Sequence, residues 1–133
     1  MANDGDRAGR NPGFVGWALD RNQREALLKR LPPRYAEVIA DHVTLKFGDS
    51  EGLVPTDTWG DIVGEADDGA GVQAMVVAIR GTTERPDGST YHITWSLAPD
   101  RQAKESNDVI AARGWRAFPE PVRVTLRPKA FRG

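Results

Sequence analysis

The chain has 133 residues, a formal net charge of −1 at neutral pH and no cysteine. This length supports one domain with a sizeable core, and the near-neutral charge gives no overall electrostatic signature for duplex nucleic acid. The absence of cysteine excludes disulfides, thiolate nucleophiles and cysteine-based metal sites. We therefore expect one domain whose chemistry depends on oxygen and nitrogen groups.

The N-terminal residues 1–12 are polar and rich in Gly, Asn and Asp, without hydrophobic periodicity. We expect them to form a disordered tail ahead of a single domain over residues 13–133. The N-terminus lacks the apolar segment of a signal peptide, and no later stretch approaches the roughly 20 apolar residues of a membrane span. The sequence thus favours a soluble cytoplasmic monomer without a membrane partner.

The first predicted elements are a strand, a helix and a second strand. An apolar run over 13–19 is typical of a strand, and Asp20 is suited to cap a helix over 21–31 that a proline pair ends. A short helical stretch is predicted over 34–40. Residues 42–47 then alternate between polar and apolar side chains, which indicates a half-buried strand.

The second half is predicted to contain a meander, a helix and a last strand. Strands are expected near 58–66 and 72–80, and a strand over 90–97 is expected to pair with 72–80 as a hairpin. Ser106 has the chemistry of a helix N-cap, and the last strand is predicted over 122–126. The element order is mixed α and β.

The two histidines of the chain both precede x-Thr-apolar, in the fragments HVTL and HITW. Alternate side chains of a strand share a face, so each motif strand has one polar and one apolar face. The polar faces, expected to line a groove, carry His42, Thr44 and Lys46 in one strand and His92, Thr94 and Ser96 in the other. Phe47 and Trp95 fall on the apolar faces, so we expect them in the core.

Two imidazoles across a groove suit a reaction that needs a general base and a general acid near neutral pH. Phosphodiester cleavage is such a reaction, and its transition state also needs donors to the nonbridging oxygens. His42 and His92 are the candidate acid and base, without an assignment of which is which. Thr44 and Thr94 are the candidate donors, and Lys46 and Ser96 are weaker phosphate-binding candidates.

Two other interpretations of the histidines stay open. A strand histidine beside a threonine can be a hydrogen-bonded, half-exposed structural pair. A zinc site is the second, but two imidazoles without cysteine supply two ligands where a catalytic zinc usually has three from the protein. We expect no metal and no cofactor.

His42-Val43-Thr44-Leu45 and His92-Ile93-Thr94-Trp95 resemble the paired motifs of the 2H phosphoesterases. The resemblance covers roughly residues 13–127. It implies an α+β, compact bilobal fold in which two antiparallel sheets line a central cleft, with helices outside. It also implies metal-independent catalysis by the two histidines. Members include RNA 2′,3′-cyclic phosphodiesterases, RNA ligase-type enzymes, the cyclic phosphodiesterase domain of fungal tRNA ligases and phage enzymes that cut cyclic nucleotides.

The segments HVTLKFG and SNDVI look most like the compact RNA-repair branch of that family. The resemblance implies hydrolysis of an RNA-terminal or nucleoside 2′,3′-cyclic phosphate to a 2′-phosphate, with an RNA end or a small cyclic nucleotide as substrate. The alternatives are a cyclic-oligonucleotide phosphodiesterase, a nucleotide- or RNA-binding module with an inactive two-histidine cleft, and an α+β interaction domain with structural histidines.

Residues around the motifs supply further candidates for substrate binding. Trp17 and Tyr35 are weak candidates for stacking on a base. Ser106 is expected to cap a helix whose N-terminus suits an anion. A local basic patch can come from the cations flanking the second motif, which are Arg80, Arg85, Arg101 and Lys104.

Overall fold

The computed structural model describes residues 13–47 and 54–131. The predicted tail, residues 1–12, lies outside them. No helix of the described part is long and apolar enough to cross a membrane. In chain order the elements are β1 (Phe14–Leu19), α1 (Arg21–Arg30), β2 (Glu37–Val38), β3 (His42–Phe47), β4 (Trp59–Asp67), β5 (Val72–Ala78), β6 (His92–Leu97), α2 (Glu105–Arg113) and β7 (Arg116–Phe131).

All of these strands belong to one antiparallel sheet in the order β2-β6-β5-β4-β7-β1-β3. The sheet is curled into a half-barrel. The predicted mixture of α and β is confirmed, whereas the two sheets expected around a cleft are one continuous sheet. The strands around both motifs and the predicted hairpin of β5 with β6 are confirmed.

The continuity of the sheet comes from β7, which is 16 residues long. The sequence predicted a strand only over 122–126 of this stretch. The part of β7 up to Thr125 pairs with β4, and the part from Leu126 onward pairs with β1. Pro119 and Pro121 fall where the register with β4 shifts, so they interrupt no regular ladder there.

The two helices cover opposite faces of the sheet. Leu27 of α1 packs in a core cluster with Val43 and Ile93, the middle residues of the two motifs. Val109 and Ile110 of α2 pack in a second cluster with residues of β5 on the other face. The apolar faces of the motif strands therefore form the core under α1, while α2 lies on the side of the histidines.

The predicted helical stretch over 34–40 is wrong. Its residues instead form the two-residue strand β2 against β6, followed by Ala40 in the left-handed region at φ 42°. Tertiary partners decide this conformation, because Arg24 of α1 donates to the carbonyl oxygens of Ile39 and Ala40 at 2.9 and 3.0 Å. The segment leads directly into the first motif.

Candidate active site

The curl of the sheet brings β3, at one edge, close to β6, next to the other edge. A short connection ties them, since the Ala40 N–H donates to the Thr94 carbonyl at 3.0 Å. A cleft opens between them and holds both histidines and both threonines. Its lining comprises Phe14, His42, Thr44, Phe47, Arg85, His92, Thr94, Ala103, Lys104 and Asn107.

The Nδ1 atom of each histidine has a protein partner. His42 Nδ1 lies 3.1 Å from Asp41 Oδ2, and His92 Nδ1 lies 2.9 Å from the Thr90 carbonyl oxygen. A carbonyl only accepts, so His92 carries its proton on Nδ1 when neutral and presents a lone pair on Nε2. Nε2 of each ring is therefore the atom available to a substrate.

The two imidazoles lie in different electrostatic surroundings. Burial lowers the pKa of His92; the Thr90 carbonyl opposes this, while the positive charges of Arg85 and His42 lower it further, and the net pKa is below the ordinary value. His42 Nδ1 contacts the carboxylate of Asp41 at 3.1 Å. His92 is thus held neutral beside a cation, and His42 has an anionic partner.

The two threonines differ in their contacts. Thr94 Oγ1 donates to the Ala103 carbonyl at 3.3 Å and lies 2.8 Å from Ser106 Oγ. These contacts hold the first turn of α2 against β6. Ser106 is therefore not the predicted cap: it is fully buried, and Lys104 occupies the N-cap position without a side-chain hydrogen bond. Thr44 lines the cleft and is 9% exposed.

The register of β3 shifts by one residue directly after its His-x-Thr. Gly16 of β1 lies opposite Thr44 and Val15 opposite Lys46, so Leu45 has no partner in the ladder. Such a bulge reverses the faces of the residues that follow it. Lys46 accordingly shares the face of buried Val15 and does not line the cleft, contrary to its predicted position.

Phe47 is turned the opposite way by the same bulge. The sequence predicted it in the core, but it lines the cleft, lies opposite Phe14 and is 59% exposed. Strict alternation from His42 misses it, because the bulge depends on the pairing with β1.

The pairing of β6 with β5 contains an equivalent shift of register. Ala74 lies opposite Thr94 and Gln73 opposite Ser96, so Trp95 has no partner in the ladder. Trp95 is buried in the core as predicted. Ser96 is displaced from the cleft face: it donates to Gln73 Oε1 at 2.5 Å and accepts the N–H of Tyr35 at 3.1 Å. Its predicted contact with phosphate is therefore not available.

The two stacking candidates lie elsewhere. Trp17 is 1% exposed in the core, and its indole N–H donates to the Asp57 carbonyl at 2.9 Å. The Tyr35 hydroxyl donates to Asp67 at 2.6 Å, and Tyr35 is not part of the cleft lining. An apolar neighbourhood in the sequence does not distinguish a core aromatic from a substrate-facing one.

Three phenylalanines line or support one side of the cleft beside His42, and we call them the phenylalanine wall: Phe14, Phe47 and Phe131. Phe14 and Phe131 stack with ring centroids 4.4 Å apart, and the ring of Phe14 lies 4.9 Å from that of His42. Phe14 and Phe131 belong to β1 and β7, which pair at these two residues. Only this pairing of distant segments brings the wall together.

The predicted basic patch divides into two parts. Arg85 and Lys104 line the cleft. Arg80 instead pairs with Asp57, and Arg101 pairs with Asp68 and Glu105, so these two arginines serve other contacts. Among the described residues no group of three or more His, Asp or Glu side chains is arranged to hold a metal ion.

We compared the chain with protein-family models, with curated proteins and with solved structures. No family model matches it, and neither a curated protein nor a solved structure does so.

Proposed function

We propose that the protein is a phosphodiesterase that hydrolyses a cyclic phosphodiester, an RNA-terminal or nucleoside 2′,3′-cyclic phosphate, to a phosphomonoester. The observation that supports this most is the pair of histidines in one cleft, each with Nδ1 bound to a protein acceptor. The two motifs, through their resemblance to the 2H phosphoesterases, supply the reaction class. That resemblance also implies metal-independent hydrolysis and a 2′-phosphate product.

The two imidazoles divide the proton transfers. His92, neutral and with its lone pair on Nε2, accepts a proton from water as the water oxygen bonds to phosphorus. The P–O bond to one ring oxygen breaks, and His42 donates its Nε2 proton to that leaving oxygen. Asp41 Oδ2 lies 3.1 Å from His42 Nδ1 and orients this ring. One water molecule is consumed. His92 then releases a proton to solvent and His42 takes one up, which restores the starting state.

The charge on the nonbridging oxygens needs donors from the rest of the cleft. Thr44 lines the cleft beside His42, and Lys104 adds a positive charge at the start of α2. Thr94 Oγ1 donates to the Ala103 carbonyl, so it must give up this contact to donate to a phosphate. Thr44 is therefore the better-prepared of the two predicted donors.

An RNA oligonucleotide that ends in a 2′,3′-cyclic phosphate tests the proposal. We expect the parent protein to open the ring in the presence of EDTA, and His42→Ala and His92→Ala each to lower turnover by about 10²–10⁴-fold. Melting temperatures of the variants serve as the folding control. Separation of the 2′- and 3′-phosphate products identifies the leaving oxygen.

The remaining outcomes distinguish the alternatives. Normal turnover in either variant contradicts the two-histidine mechanism, and loss of activity in EDTA points to a metal. Binding of the RNA without ring opening, weakened in both variants, identifies an inactive binding module. Lowered melting temperatures of the two variants, without any change in ligand binding, identify the histidines as structural.

A further inference from the structure

Arg85 is a buried cation whose described counter-charge, Asp87, lies 3.4 Å away. It is 2% exposed, in the turn region that precedes β6. Within the described residues its side chain has two polar contacts, both at 3.4 Å: Nε to the Leu45 carbonyl and Nη2 to Asp87. A guanidinium has five N–H donors, and burying a charge is costly unless it is paired and hydrogen-bonded. Among the described residues these contacts engage two of its three nitrogens, and the side chain lines the cleft.

The phenylalanine wall lies next to this cation. The Arg85 guanidinium carbon is 5.6 Å from the centre of the Phe47 ring, and that ring is 59% exposed in the cleft. A planar aromatic group stacks favourably on such a ring, while an adjacent arginine contributes to binding an anion attached to it. The cleft thus offers an anion site and an aromatic surface side by side.

The opposite side of the cleft is polar. Thr94, Lys104 and Asn107, from β6 and the start of α2, form it. A substrate with one aromatic and one polar end therefore has a preferred orientation, with its aromatic group on the side of His42.

We infer that the cleft selects a cyclic phosphate that carries an aromatic base, with Arg85 binding the phosphate and Phe47 stacking on the base. This inference rests on the proposed function and adds to it the residues that recognise the base and the phosphate. Phe47 is a specificity-determining residue, and Arg85 binds the charged group shared by all cyclic phosphates. The two side chains therefore have separable effects on different substrates.

Two substrates test the inference: adenosine 2′,3′-cyclic phosphate and the methyl riboside 2′,3′-cyclic phosphate, which lacks a base. We expect the parent protein to prefer the adenosine substrate by about 10- to 100-fold in kcat/KM, the range that stacking on an aromatic side chain provides. Phe47→Leu reduces that preference to within about threefold, mainly through KM.

Phe118→Leu is the matched control. Phe118 also lies beside an arginine, with the Arg116 guanidinium carbon 5.6 Å from its ring centre, but it does not line the cleft. We expect this variant to keep the full preference for the adenosine substrate. Arg85→Gln lowers kcat/KM for both substrates equally, by about 10- to 100-fold, and Arg85→Lys restores part of the loss.

Each outcome separates this inference from the proposed function. Equal kcat/KM for the two substrates in the parent protein overturns the inference but leaves the phosphodiesterase intact. No turnover of either substrate overturns the proposed function. Calorimetric titration with adenosine 2′-monophosphate and inorganic phosphate then tests whether the cleft binds a base. Tighter binding of the nucleotide, lost in Phe47→Leu, supports the base site; equal binding, or none, overturns it.

Discussion

His42 and His92 are chemically identical groups that the protein holds in different ways. Nδ1 of His42 faces a carboxylate, whereas Nδ1 of His92 faces a backbone carbonyl in a more buried position near Arg85. The surroundings of His92 favour its neutral form, whereas the carboxylate of Asp41 orients the ring of His42. The proposal that His42 is the acid and His92 the base rests on these contacts, because the two motifs are alike.

The pH dependence of hydrolysis tests this assignment. We expect a bell-shaped profile of kcat/KM whose acidic limb follows His92 and lies below the ordinary imidazole pKa of about 6.5. Burial is the main cause of the lowered pKa, and the positive charge of Arg85 contributes. Arg85→Gln removes that charge, so the pKa of His92 rises and the acidic limb moves to higher pH.

Arg80→Gln provides the control for this shift. It makes the same change of charge at an arginine that pairs with Asp57 outside the cleft lining, and we expect it to leave the acidic limb in place. An acidic limb that stays fixed, or moves to lower pH, in Arg85→Gln would contradict the role of His92 as base.

At the scale of elements, both motif strands carry a register shift at the residue after His-x-Thr. Leu45 and Trp95 are the residues left without ladder partners. Each shift allows the histidine and threonine to face the cleft while the following residues change faces. The shared irregularity is a structural similarity between the two halves beyond their sequence motifs.

The shift in β3 depends on a close approach of β1 at Gly16. A Cβ atom at this position would clash with the Val43 carbonyl oxygen and lie 3.0 Å from Thr44 Cα. We expect Gly16→Ala to push β3 away, to lower the free energy of unfolding by about 1–3 kcal/mol and to reduce kcat/KM. Urea unfolding and turnover measure the two effects.

Gly69→Ala is the comparison, because a Cβ there meets no atom within 4 Å. Its positive φ of 69° costs backbone strain, so we expect some loss of stability, but unchanged turnover. Parent-like turnover in Gly16→Ala would show that β3 tolerates the displacement.

Arg24 is a positioning residue for the connection between the motifs. Its two hydrogen bonds hold the carbonyls of Ile39 and Ala40, and the Ala40 N–H bonds to Thr94. We expect Arg24→Gln to lower kcat by about 10-fold or more, with KM nearly unchanged, because His42 shifts relative to Thr94. Arg24→Lys restores part of the rate. Arg30→Gln, in the last turn of α1, is the control.

A loss of stability without any change in kcat would show that Arg24 is only structural. A parallel rise in KM would instead indicate that the cleft has lost its binding surface. The split between kcat and KM, together with rescue by lysine, separates positioning from folding.

At the scale of the whole molecule, a buried carboxylate ties distant elements on the face away from the histidines. Glu65 of β4 is 8% exposed and accepts hydrogen bonds from Arg34 at 3.0 Å, Gln73 at 2.9 Å and Arg116 at 2.9 Å. Arg34 follows α1, Gln73 belongs to β5 and Arg116 begins β7. The network therefore stabilises the middle of the curled sheet and the end of α1.

The acid stability of the protein tests this network. Burial raises the pKa of Glu65, but hydrogen bonds from Arg34 and Gln73 and the charges of Arg34 and Arg116 outweigh it, so the net pKa is below the ordinary value. A lowered folded-state pKa adds stability above the unfolded pKa of about 4.3, and that stability is lost as pH falls through the folded pKa.

We expect Glu65→Gln to lower the free energy of unfolding by about 1–3 kcal/mol near pH 7 and to flatten its decline below about pH 4.5. Urea unfolding across pH 3–7 measures both. Glu120→Gln, at an exposed position, is the control. A pH dependence in Glu65→Gln equal to that of the parent would exclude Glu65 from this role.

The sequence by itself determined the two motifs, the strands that carry them, helix α1 and the hairpin of β5 with β6. These features depend on local signals, namely alternation along a strand, the Asp20 cap and turn residues. The burial of Val43 and Ile93 followed for the same reason. Local patterns specify which side chains of a regular strand share a face.

Long-range strand pairing determines which residues surround the histidines. The register shifts moved Lys46 and Ser96 out of the cleft and turned Phe47 into it, since a shift depends on the partner strand. Burial of Arg85 and the joining of two expected sheets by β7 likewise depend on segments far apart in the chain. Sequence patterns describe short-range periodicity, whereas these features arise from long-range pairing and from the curl of the complete sheet.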